Sequence, residues 1–321
     1  MVNIKRKELN APLSLGASLL SFICPIYAYY RICRKRDSSV GAKVVNCIAF
    51  TVFWLYAVSL MLFVFWSIYN SLKDGEVFHD DKISLPRELK FSNYTRAYEL
   101  ILDDYGNNLV DMFINSAWFA FGSSLLSVLM HAVTGYIFAK YNFPAKGAAF
   151  RFILFTLAIP IVGSLPSMYK VVVYLGLEES PLFLITYLGG FGSNFLIMYA
   201  YFKGIDKTYM EAAEIDGAGR FGIFFKIMMP LAIAPCFSLL LLMFIGQWKN
   251  YETVLIFLET MPTLSSGLYL IESYYAPFCG EAFYQTISMA GVVMASIPVV
   301  ILVAAFGDKI MSNVSMGGIK G

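Results

Sequence analysis

An all-α integral membrane protein with six core transmembrane helices is the fold class this sequence predicts, and three observations predict it. Hydrophobic residues make up 58% of the 321, charged residues only 14%, and mean hydropathy is +0.65, far above the composition of a water-soluble domain. The charges are gathered between long uncharged runs, and those runs match the roughly 20 residues an apolar helix needs to cross a bilayer. No tract shows the roughly ten-residue alternation with frequent turns that marks a membrane β-barrel.

Taken in order, the core spans are 44–72, then 112–139 with His131 inside it, then 152–169. The third is slightly short, but 171–177 continues it past Lys170, whose stem can carry its charge to the interface. The fourth is 180–202, the fifth 227–248 and the sixth 282–307. Upstream, residues 10–30 are also uncharged, yet Lys5, Arg6 and Lys7 precede them and "RICRKR" at 31–36 follows, so both flanks favour the cytoplasm. With Pro25 interrupting it, an interfacial or re-entrant helix is the favoured reading and a seventh span the alternative. A cleaved signal peptide fits poorly, because no small-residue cleavage site precedes the basic run. Residues 1–43 are therefore set apart as an N-terminal extension from a membrane domain at 44–321.

Orientation follows from the retention of Lys and Arg on the cytoplasmic side. Placing "RICRKR" and Lys43 inside and alternating puts Lys140, Lys146 and Arg151 inside, then Lys203, Lys207, Arg220 and Lys226, then Lys309 and Lys320. The loop with Glu178 and Glu179 falls outside, as does 251–281, which carries four Glu and no Lys or Arg. The outer segment 73–111 mixes both signs and is long enough for a small subdomain, with a turn at Pro86 and a Ser- or Asn-capped short helix in "FSNYTRAYEL".

Several function classes are excluded. Twenty-four basic against 22 acidic residues leave a net charge of +2, too balanced to suggest a nucleic-acid partner. Cys24, Cys33, Cys47, Cys236 and Cys279 have no paired or zinc-site spacing, and His79 and His131 cannot make a metal site alone. No nucleophile elbow, Walker A loop or dinucleotide fingerprint occurs, so the chain is not expected to be an enzyme, and any ATP that drives it binds another chain.

One cytoplasmic loop stands out. Residues 211–230 read "EAAEIDGAGRFGIFFKIMMP", with Glu211, Glu214 and Asp216 closely spaced. Glu211 and Glu214 share one helical face, while Ala212 and Ala213 favour the helix and keep it thin. Gly217 and Gly219 supply a turn. Phe221, Phe224, Phe225 and Met228 then recur at helical spacing, and Pro230 is expected to end the second helix where the fifth span begins. The expectation is a rigid helix, glycine turn, helix knob whose carboxylates seek a basic partner.

This tract resembles the EAA loop of binding-protein-dependent ABC importers, and its "IDGA" extension resembles the carbohydrate branch, similar to the second permease subunit of the maltose transporter. "NYTRAY" before "NSAWFAF", "FIGQWKNY" and the terminal "MGGIKG" resemble further parts of that branch over roughly residues 45–321. The resemblance implies that 44–321 is a permease domain with its EAA loop at 204–230 and a tail at 308–321. It makes Glu211, Ala212, Ala213, Glu214, Asp216 and Gly217 the ATPase-coupling positions and points Gly317, Gly318 and Lys320 toward the ATPase. The implied partners are a second homologous permease subunit, a dimer of cytoplasmic ATP-binding subunits and an extracytoplasmic solute-binding protein, besides membrane lipid. ATP and Mg would be bound by the ATPase, with no cofactor in this chain, and the expected location is the bacterial cell membrane.

The transport path is harder to place. Polar residues inside spans are costly unless they face protein or water, which singles out Asn115, Ser123, Ser127, Ser164, Asn194 and Gln247. Asn194, Gln247 and Trp248 are taken as pathway residues, with Trp248 and Tyr251 able to stack on sugar rings or to sit in an aromatic belt. Alternatives for cargo are a polyamine or a peptide. An ATP-independent secondary transporter is the rival class, but it would need intramembrane carboxylates or an inverted repeat, and neither is evident.

Overall fold

The computed structural model describes residues 40–100, 107–159, 163–275 and 281–316. The N-terminal apolar segment and the tail positions Gly317, Gly318 and Lys320 lie outside the described residues. The chain forms two units, Met1–Asn70 and Ser71–Gly321. In the first, the described residues make one long helix, α1 (Val40–Ser71), which contains the apolar stretch Val44–Ser71. Its hydroxyls turn back onto the helix: Thr51 Oγ1 donates to the Cys47 carbonyl at 2.9 Å and Ser59 Oγ to that of Tyr56 at 2.7 Å. That internal satisfaction is what lipid demands of a polar group.

The second unit begins with a small subdomain of α2 (Gly75–Asp80) and α3 (Ser92–Leu100), packed on the last helix, α13 (Glu281–Met316). Asp74 caps α2 and pairs with Lys90. Asn93 does not cap α3 as the sequence suggested. It is buried and its Nδ2 donates to the carbonyls of Ser71 at 2.8 Å and Lys73 at 2.7 Å, tying the subdomain to its own entry strand of chain.

At the centre stands α4 (Leu109–Lys140), which packs against α7 (Ser193–Gly204), α10 (Ile233–Trp248), α13 and the 3-10 segment Pro181–Leu188. Its buried positions are mostly small: Ser116, Ala120, Ser123, Ser127, Ala132 and Gly135. Small side chains let helix backbones approach where lipid offers no hydrophobic drive. At Gly135 the neighbour is the α7 backbone itself, since an added Cβ would lie 2.9 Å from both Met198 Cβ and the Tyr199 backbone N. Gly135→Val is therefore expected to cost about 1–3 kcal/mol through overpacking. Thermal unfolding of the purified chain checks this, with Gly147→Ala, where nothing lies within 4 Å, as the neutral control.

Three described helices are long and apolar enough to cross a membrane unbroken, α1, α4 and α13; the remaining predicted spans are interrupted. The third is split into α5 (Lys146–Ala158) and α6 (Leu165–Tyr174), with Gly163 at φ 78° between them and Pro166 in the first turn of α6. The fourth, expected as one helix over 180–202, is instead the 3-10 segment followed by α7 at an angle of 57°. Glycines at 189, 190 and 192 interrupt it, and α4 supplies the missing hydrogen bonds. Thr134 Oγ1 donates to the Gly190 carbonyl at 2.7 Å and Ser127 Oγ to that of Tyr187 at 3.1 Å. Irregular backbone at membrane depth is tolerated only with such partners.

The fifth span shows the sharpest bend, 72° between α9 (Arg220–Leu231) and α10. Pro230 does not stop α9 as predicted; the break falls at Ala232, after a π-helical turn over Phe224–Met228. Pro235 has no N–H to give the Leu231 carbonyl four residues back, and Tyr201 on α7 donates its hydroxyl there at 2.7 Å. The loops sorted by charge also meet their own kind. At one end Lys140 Nζ donates to the Ile205 carbonyl; at the other the Glu179 carboxylate accepts the backbone N–H groups of Glu259 at 2.8 Å and Thr260 at 2.9 Å.

Candidate functional site: an acidic helix–turn–helix knob

Between α7 and α9 lies α8 (Thr208–Ile215), carrying Glu211, Ala212, Ala213 and Glu214. Its start is fixed by Asp206, whose Oδ1 accepts the Thr208 backbone N–H at 3.0 Å and the Thr208 hydroxyl at 2.7 Å. Those two bonds hold the Asp206 carboxyl below the usual carboxylate range. Because the folded-state value is depressed, the latch is present at neutral pH and is lost as pH falls through that value. We expect Asp206→Ala to speed amide hydrogen exchange over 208–211, and wild type to show the same loosening on acidification.

The end of α8 is a Schellman motif. Gly217, at φ 79°, donates its N–H to the Glu214 carbonyl at 3.1 Å, and Ala218 donates to that of Ala213 at 2.9 Å. Asp216 occupies the C-cap, and Gly217 has open space around it, so its requirement is conformational rather than steric. The turn then delivers Arg220 into the first turn of α9, where its guanidinium lies 5.7 Å from the Tyr141 ring centroid.

Burial sorts the knob into two faces. Met210 and Ala213 point inward and join Ile223, Phe224, Met228 and Ala232 in one cluster with Tyr136 of α4 and Met198 and Phe202 of α7. Ala213, one of the coupling positions the resemblance implies, is 6% exposed and seats α8 closely on its own body. Glu211, Ala212, Glu214, Ile215, Asp216 and Gly217 are exposed. Among the described residues none of the three carboxylates forms an ion pair. The result is an acidic tip free for a partner and a base welded to three membrane helices.

Of the predicted pathway residues, Asn194 and Gln247 are half-buried and Trp248 is buried. Asn194 is half-buried on the first turn of α7. Gln247 is half-buried and its Oε1 accepts from Asn250 Nδ2 at 3.0 Å and from the Tyr187 hydroxyl at 3.3 Å. Trp248 is corrected: it is 5% exposed, donates to the Ala295 carbonyl at 3.1 Å and packs against Phe113 and Phe244, so it is core rather than belt or pathway wall. Tyr251 stacks on Tyr269 at 4.6 Å. Asn115 and Ser123 are likewise spent on packing, through bonds to the Pro262 and Phe119 carbonyls, and His131 Nδ1 lies 2.6 Å from the Ser127 carbonyl. No group of three or more metal-ligating side chains converges among the described residues.

Comparison with known proteins adds four findings. The family model described as "Binding-protein-dependent transport system inner membrane component" matches residues 131–314. The arabinooligosaccharides transport system permease protein AraQ of Bacillus subtilis (strain 168) is 29% identical over 286 residues, 85% of this chain and 96% of that protein. Its counterpart of the same name in Halalkalibacterium halodurans is 31% identical over 213 residues, 65% of this chain and 74% of the relative. Among solved structures, one chain of a bacterial ABC transporter involved in import of the acidic polysaccharide alginate superposes with TM-score 0.67 at 21% identity, covering 85% of this chain and 99% of that one.

Proposed function

Because this chain belongs to the inner membrane components of binding-protein-dependent transport systems, we propose that it forms half of the translocation pathway of an ATP-driven importer for a sugar or oligosaccharide. The other half is a homologous permease subunit, and two cytoplasmic subunits bind ATP and Mg. An extracytoplasmic binding protein delivers the solute. Carbohydrate cargo is supported by the substrates for which similar permeases are named: arabinooligosaccharides for AraQ, and maltodextrin for MalD of Streptococcus pneumoniae, 24% identical over 84% of this chain.

The observation that carries the coupling role is the two-faced knob: exposed carboxylates outside, a core shared with α4, α7 and α10 inside. Glu211 and Glu214 meet Arg or Lys in a cleft on the ATPase, and Ala212 lets the surfaces approach closely. When the ATPase dimer closes, it displaces α8; the Schellman turn and the Met210–Ala213 packing pass that movement to α9 and, through the 72° bend, to α10. A loop without those constraints would absorb the displacement locally. The tail at Gly317, Gly318 and Lys320 lies near the same ATPase dimer in this proposal.

The decisive experiment is to purify the complete complex with its binding protein in lipid and measure ATP hydrolysis against a panel of solutes. A saccharide is expected to stimulate hydrolysis. Stimulation by a polyamine or peptide instead would overturn the carbohydrate assignment while leaving the importer role standing.

A further inference from the structure

We infer that the junction of α4 and α9 is a binding site for an anionic phospholipid of the cytoplasmic leaflet. A cavity of about 410 Å³ opens there, walled mainly by Val133, Tyr136, Ile137, Phe221 and Phe225, with Arg220 as its charged member. Phe221 and Phe225 lie one helical turn apart and are 83% and 62% exposed. Lys226 follows on the same short helix and is also exposed.

Geometry places this cavity at headgroup depth. With α10 crossing the bilayer, the 72° bend turns α9 toward the membrane plane. The other wall comes from the last turns of α4, which ends at Lys140. An in-plane helix with apolar side chains beside Arg and Lys is the arrangement that holds acyl chain and headgroup together. Arg220 lies over the Tyr141 ring, 5.7 Å from its centroid, and is exposed, which leaves its guanidinium accessible to a phosphate.

Charge separates this surface from the ATPase-facing one. The tip of α8 presents Glu211, Glu214 and Asp216 and calls for a basic cleft, whereas the cavity presents Arg220 with Lys226 nearby and calls for an anion. A single basic partner cannot complement both. The membrane supplies an anionic amphiphile at this depth, and the inference does not depend on which solute is carried.

The test uses the assembled importer reconstituted in bilayers of equal phosphatidylglycerol and phosphatidylcholine, with retained lipid counted by native mass spectrometry. Wild type is expected to retain phosphatidylglycerol preferentially. Arg220→Gln should lower that retention about fivefold, with Arg220→Lys in between, and leave phosphatidylcholine unchanged. Ile137→Trp, which fills the cavity, should displace both lipids. Independently, a photoreactive p-benzoylphenylalanine at position 221 should label lipid. Equal phosphatidylglycerol retention by wild type and Arg220→Gln would overturn the inference, and so would labelling of the ATPase or the partner permease from position 221.

Discussion

Replacing Glu211 by Lys is expected to reduce solute uptake and solute-stimulated ATP hydrolysis at least tenfold while the chain still inserts and the complex still forms. Glu211 is exposed, makes no ion pair among the described residues and sits on the outward face of α8, so its reversal leaves the packing around it untouched. Under the proposed coupling role the cost arises on docking, where a Lys would oppose a basic cleft. Like charges placed together at an interface cost several kcal/mol, far more than a tenfold effect requires. Uptake and hydrolysis in proteoliposomes, with complex yield measured on the same preparation, give the readout. A compensating Arg or Lys to Glu change in the ATPase cleft should restore activity. Normal uptake by an intact complex carrying Glu211→Lys would remove the coupling role from this residue.

The second large effect is expected at Gly217. Its φ of 79° is closed to proline, whose ring fixes φ near −65°, and proline would also delete the N–H bonded to the Glu214 carbonyl. Gly217→Pro must therefore unwind the Schellman turn and let α8 swing relative to α9. Uptake should fall to background with insertion intact. Gly217→Ala keeps the N–H and meets only the left-handed penalty of about 1–2 kcal/mol, and Gly217→Asn less. The predicted order of activity is Gly, Asn, Ala, Pro. If Gly217→Pro transported normally, a rigid connection through this turn would not be the route of coupling.

Local features of this fold could be read from residue order alone. The uncharged runs located the spans because their length answers to the bilayer, and Gly217 followed by Phe224 and Met228 announced the turn and the apolar side of α9. What escaped depends on partners distant in sequence. The tract "LGGFGS" at 188–193 carried a signal for a break, but hydropathy passed over it, and only Thr134 and Ser127 on α4 make that break tolerable. Ala212 and Ala213 look alike in the sequence; which one faces outward is decided by the seating of Met210 against α4 and α7. Trp248 read as a boundary aromatic because its hydrogen-bond acceptor, the Ala295 carbonyl, is supplied by α13.

The interrupted fourth span also has a bearing on how the chain is made. A segment that breaks at 189–192 exposes backbone carbonyls that lipid cannot satisfy, so it is a poor candidate for release from the insertion machinery by itself. Its acceptors are matched by hydroxyls on α4, a helix synthesised earlier and apolar enough to enter first. The order of the chain thus has the donor helix synthesised before the segment whose carbonyls need its hydroxyls.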